Sequence, residues 1–112
     1  MRIIFIGDIF GKPGRMALHE NLPALRENYS PDFVIANAEN VAGGFGITEN
    51  LCKKLFRYGV DVITTGNHVW DRPEAVDYLN REKLVLRPIN FPDAPGFSSV
   101  VAENEAGLKL GV

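Results

Sequence analysis

Short apolar runs alternate with longer amphipathic stretches along this chain. "RIIFI" at 2–6, "FVIA" at 33–36, "VDVITT" at 60–65 and "LVL" at 84–86 are mostly β-branched or aromatic, the composition of buried strands. Between them the apolar spacing turns helical. Over 14–28, Met16, Leu18, Leu22 and Leu25 recur at roughly helical intervals, and Pro23 is expected to kink that helix or begin its second half. Over 48–58, Leu51, Leu55 and Tyr58 form one stripe, Thr48 stands where an N-cap belongs and Gly59 where a helix stops. A third helix is expected near "RPEAVDYLN", capped by Asp71 with Pro73 in its first turn. Strand, helix, strand, helix, strand, helix, strand, with crossovers of this length, implies an α/β fold with a parallel sheet and flanking helices. Beyond the proline-rich "RPINFPDAPGF", "SSVVA" and "LKLGV" flank "ENEAG" as a C-terminal antiparallel hairpin. Its second strand stops in mid-run at Val112, so residues 1–112 are expected to form a single, incomplete domain, the N-terminal portion of something longer.

Length and charge narrow the function classes. A chain of 112 residues, 46% hydrophobic, carries one core and not two. Its net charge is −2 and Lys and Arg form no stripe, which disfavours duplex nucleic acid as the main partner and leaves small phosphorylated ligands open. Cys52 is the single cysteine, so neither an internal disulfide nor a cysteine-rich zinc site can form, and the lean is to the cytoplasm. The apolar stretch in "MRIIFIGDIFG" ends after four residues at Gly7 and Asp8, too short for a signal peptide or a membrane span.

Chemically capable residues fall just after the strands. Asp8 follows the first, Glu39 and Asn40 the second, Asn67 and His68 the third. In a parallel α/β sheet these strand ends share one edge, where ligands bind. Each residue has a structural reading of its own. Asp8 suits a turn, Asn67 tolerates a left-handed one, and a histidine such as His68 can sit bonded to backbone in a core. Glu39, directly after an apolar strand, needs a partner for its charge. Their convergence at three successive strand ends favours a site over those separate readings. Such a donor set suits Mg²⁺, Mn²⁺ or Fe, and Glu39 could bridge two ions about 3.5 to 4 Å apart, the arrangement that hydrolyses phosphate esters. His19 reads as solvated, Cys52 as packing, and Trp70 and Asp71 as packing and capping beside the site, with Asp71 a candidate to orient His68. "GDIFGKPG" and "GGFG" match neither a P-loop nor a dinucleotide fingerprint, so their glycines read as close-turn positions beside a metal centre. Gly66 is expected to let the chain bend tightly at the end of the third strand.

"GDIFGKPG", "NAENVAGGFGIT", "TTGNHVWD" and "LVLRPINFP", in this order and spacing, resemble the YmdB-like branch of the calcineurin-like metallophosphoesterases, and the resemblance covers nearly the whole chain. It implies the N-terminal half of a metallophosphoesterase αββα sandwich. In the wider superfamily the motifs are D-x-H, G-D and G-N-H. Asp8 matches the first aspartate, Phe10 stands where the histidine would be, Glu39 takes the bridging acid's place, and Asn40 supplies the ligand lost at Phe10. Asn67 matches the third-motif metal ligand and His68 the histidine that protonates the leaving group. The resemblance thus implies a binuclear centre of Fe or Mn, with Mg as an alternative, no organic cofactor, and phosphodiesterase activity on cyclic nucleotides such as 2',3'-cyclic AMP. Imidazoles as a class titrate near neutral pH, which suits His68 to that proton transfer.

The family completes its site with later histidines in G-H and H-x-H motifs, whereas this sequence holds only His19 and His68. The chain alone is therefore expected to bind metal weakly and turn over slowly, and to expose sheet surface or edge that invites association, a homo-oligomer included. The competing class is a non-catalytic α/β module that binds a nucleotide, or a partner, at the same edge.

Overall fold

A computed structural model describes residues 1–112. Four strands, β1 (Ile3–Ile6), β2 (Phe33–Asn37), β3 (Val62–Thr64) and β4 (Val85–Leu86), form one sheet in the order β1-β2-β3-β4, every pair parallel. The intervening helices are α1 (Gly11–Tyr29), α2 (Glu49–Tyr58) and α3 (Ala75–Arg81). Strands β5 (Val101–Glu103) and β6 (Lys109–Gly111) pair antiparallel as the expected hairpin.

Strand β2 shows why its residues read as one apolar run. Val34 and Ala36 face the helical layer, packed with Leu18, Leu22, Leu55 and Leu79, while Phe33 and Ile35 face the hairpin side with Val62, Leu86 and Ala102. Both faces are buried, so no alternation survives. Strand β1 differs because it is an edge. Ile3 and Phe5, in register with Phe33 and Ile35, lie on the hairpin-side face, yet they are 42% and 60% exposed because the hairpin does not cover them. No helix is long and apolar enough to cross a membrane.

The local signals were of unequal value. Thr48 caps α2 as expected, its Oγ1 accepting from Leu51 N at 3.3 Å, and Gly59 ends the helix at φ +108°. Pro23 divides nothing: α1 is a single helix through it. Asp71 does not cap α3. A 3₁₀ turn over Asn67–Trp70 intervenes, Asp71 closes that turn, and α3 begins at Ala75 after Glu74 without a side-chain cap. Cys52 is fully buried, as its place on the α2 stripe implied; burial, with the charges of Glu82 and Glu49, pushes its thiol up to about 12. His19 is exposed and stacks on Tyr58 at 4.4 Å between ring centroids.

Candidate active site

Because the sheet is wholly parallel, β1, β2 and β3 end along one edge, and the segments leaving them bring Asp8, Asn40 and His68 into one hydrogen-bonded chain. Asn40 Nδ2 donates to Asp8 Oδ1 at 2.9 Å, and His68 Nδ1 lies 2.9 Å from Asn40 Oδ1. The chemistry of the three groups sets the proton positions. An ionised carboxylate can only accept, so the amide NH₂ must face Asp8 and the amide oxygen must face the ring. Nδ1 therefore carries a hydrogen, and Nε2 is the nitrogen left for proton exchange.

Glu39 arrives from the same loop as Asn40. Its backbone N–H donates to Asn37 Oδ1 at 3.3 Å, a turn that directs the chain across the sheet edge, and the residue is half-buried. Its carboxylate lies directly over Gly66. A Cβ built at Gly66 would come within 2.5 Å of even the farther carboxylate oxygen, Oε1. Gly66 itself has φ −134° and ψ −158°, extended backbone open to any residue, so its lack of a side chain matters for space. The tight bend expected there is absent. Asn67 begins the 3₁₀ turn and is exposed, and its carboxamide is free of hydrogen bonds to the other four residues. No left-handed turn forms there, since Ser30 is the only non-glycine residue with positive φ.

The donor set can be tested against a hard cation. Asp8 and Glu39 offer carboxylates, Asn40 and Asn67 offer amide oxygens, and the Glu39 carboxylate has no hydrogen-bond donor from the protein, which fits an oxygen-preferring ion. The set is nevertheless thin. Nowhere do three His, Cys, Asp or Glu side chains gather as a metal-holding group, so two closed coordination spheres cannot be completed from this chain's acids and imidazoles alone.

One expectation fails in detail. Asp71 does not orient the His68 ring; it meets His68 through its backbone N–H, which donates to His68 O at 3.0 Å, and the orienting partner is Asn40. Trp70 packs, as expected, at the end of the turn that carries His68, edge-on to Phe91 at 5.0 Å and donating to Pro95 O at 3.4 Å. What sequence reasoning missed is a pair of arginines. Arg15 donates to Val41 O at 2.6 Å, and Arg72 donates to Phe45 O at 2.8 Å and Ala42 O at 3.0 Å, so the glycine loop after Asn40 is held from two sides. Nothing in their spacing announces this, because carbonyl acceptors carry no sequence signature.

Comparison with known proteins shows the family. The family model described as YmdB-like protein matches residues 4–112. The chain belongs to the YmdB-like family. Among characterised relatives, it is 41% identical over 112 residues to a 2',3'-cyclic-nucleotide 2'-phosphodiesterase of Bacillus subtilis, covering 100% of this chain and 42% of that protein. Among solved structures, a hypothetical protein of Thermus thermophilus superposes with a TM-score of 0.87 at 40% identity, covering 99% of this chain and 43% of that one. A phosphatase of Mycoplasma pneumoniae superposes with a TM-score of 0.81 at 36% identity, covering 90% and 38%. The chain thus spans less than half the length of these relatives, and its parallel sheet with three helices and a hairpin is the fold they share with it.

Proposed function

We propose that this chain carries the strand-end half of a metal-dependent phosphodiesterase site that acts on cyclic nucleotides. The observation that supports the reading is the chain of hydrogen bonds from Asp8 through Asn40 to His68, with the Glu39 carboxylate beside it over Gly66. The substrate class comes from the Bacillus subtilis relative, a 2',3'-cyclic-nucleotide 2'-phosphodiesterase.

Each residue then has a task. Asp8, Glu39, Asn40 and Asn67 are the residues that would hold two hard cations, Fe or Mn with Mg as the alternative. When bound, such ions supply Lewis-acid charge neutralisation at phosphorus. The His68 imidazole, held at Nδ1 by Asn40, presents Nε2 to the departing ribose oxygen. As water adds to phosphorus and the phosphorus–oxygen bond breaks, Nε2–H passes its proton to that oxygen and the ring is left neutral. Asn40 keeps the donating nitrogen in place throughout.

The thin donor set supports a second reading for the isolated chain, a nucleotide-binding module with little or no turnover. Elemental analysis, Mn²⁺ titration calorimetry and hydrolysis of 2',3'-cyclic AMP by the purified chain separate the two. Bound metal with slow turnover, and a His68→Ala variant that loses turnover but keeps its metal, supports the phosphodiesterase reading. Nucleotide binding without any metal uptake selects the module. Metal lost together with activity in His68→Ala makes His68 a ligand instead of the acid.

A further inference from the structure

We infer that Arg72 is a positioning residue of this site, a brace that locks the loop leaving Asn40 to the segment leaving His68. The inference rests on the proposed phosphodiesterase reading for its chemistry, and on the geometry of the loop for its mechanics.

The loop from Ala42 to Gly46 is built largely of glycine. Gly43, Gly44 and Gly46 adopt φ of +68°, +89° and +72°, left-handed backbone that glycine enters freely and that is entropically costly to hold. Its backbone ties are Ala42 N to Gly46 O at 3.1 Å, Gly44 N to Asn40 O at 2.9 Å and Phe45 N to Ala42 O at 3.2 Å. The second tie matters for the site, because Asn40 O also receives Gly11 N at 3.0 Å and is thereby the anchor of the Asn40 backbone.

Arg72 crosses from the other side. It stands just beyond the 3₁₀ turn that carries His68, and its guanidinium donates through Nε to Phe45 O and through Nη2 to Ala42 O. One planar group therefore ties two carbonyls of the glycine loop, those of Ala42 and Phe45. At the same seam Gly46 packs so closely on the turn that a Cβ there would lie 2.7 Å from His68 O. The 2.9 Å contact between Asn40 and His68 thus spans two segments that the Arg72 fork draws together. A lysine keeps the charge but cannot reach two carbonyls with a fixed fork.

The test uses Arg72→Lys and Arg72→Ala in the 112-residue chain, with three readouts. In amide hydrogen exchange, Gly44 and Phe45 should exchange faster in both variants while β2 amides keep their protection; unchanged loop exchange overturns the brace. Mn²⁺ affinity by calorimetry should fall roughly 10- to 100-fold, the usual cost of losing a residue that orients ligands; affinity equal to the parent's in Arg72→Lys overturns the link to the site. With a 2',3'-cyclic nucleotide and Mn²⁺, kcat should fall by a similar factor with KM nearly constant, and millimolar guanidinium should restore Arg72→Ala but not His68→Ala. A loss that only tracks the unfolded fraction, without rescue, overturns it as well. A parent chain with no turnover at all would favour the nucleotide-binding module for the isolated chain, and the exchange and Mn²⁺ arms would still decide the role of Arg72.

Discussion

Gly66→Ala separates stability from site geometry at a single atom. The backbone at Gly66, φ −134° and ψ −158°, accepts an alanine, and the substitution narrows the unfolded ensemble, an effect worth about 0.4 to 1 kcal/mol in favour of folding. Against this, the new methyl group would sit 2.5 Å from Oε1 of Glu39 and nearer still to Oε2, where ordinary contact begins at 3.4 Å. The carboxylate must retreat by about an ångström. It is the far end of a flexible side chain, so rotating it away costs little, and the two effects should leave unfolding free energy within about 1 kcal/mol of the parent. Function should not be spared. A displacement of about 1 Å at a reacting centre can cost roughly 10²-fold in rate, or about 2.7 kcal/mol of barrier. The expected result is a Tm within about 4 to 8 °C of the parent's, with weakened Mn²⁺ binding by calorimetry and about 10²-fold lower turnover of 2',3'-cyclic AMP. Should Gly66→Ala bind Mn²⁺ as tightly as the parent, Glu39 is no ligand and the space over Gly66 has a packing purpose only.

Three further outcomes are expected. Asn40→Ala removes both 2.9 Å hydrogen bonds in a partly solvated setting, so it should cost only about 1 kcal/mol in denaturant unfolding while the ¹⁵N signal of His68 Nδ1 moves as the tautomer is released; an unmoved signal would show that another group orients the ring. Cys52 should resist thiol reagents in the native chain at pH 8 and react on unfolding. Its folded thiol is raised to about 12 from an ordinary 9.0, so above pH 9 the unfolded chain releases a proton that the folded one keeps, and stability should fall with rising pH by up to about 1.4 kcal/mol per unit; Cys52→Ala should flatten that slope, and an equal slope in the variant would assign it elsewhere. Phe5→Glu, at an exposed edge-strand position, should reduce self-association in sedimentation without lowering the melting temperature, whereas association that persists unchanged would clear the β1 edge of responsibility.

Signals confined to one helical turn or one strand were legible. Thr48 and Gly59 bound α2 because capping involves only neighbours along the chain, and β2 read correctly because a strand buried on both faces needs apolar residues throughout. Asp71 misled for the same reason in reverse. An aspartate with a proline two residues on is a sound local cap, but a 3₁₀ turn packed against the glycine loop claimed that stretch first.

By itself the sequence determined the order of strands and helices, the parallel sense of the sheet, and which residues stand at the strand ends: Asp8, Glu39, Asn40, Asn67 and His68. Tertiary structure alone decided how those residues meet. Asn40, not Asp71, holds the His68 ring; Gly66 is needed for the room it leaves Glu39; and Arg72 reaches back to the carbonyls of Ala42 and Phe45. Strand ends follow from periodicity, a property of neighbours in sequence. Contacts between residues some 27 to 30 positions apart follow from how loops pack, and no local pattern records that.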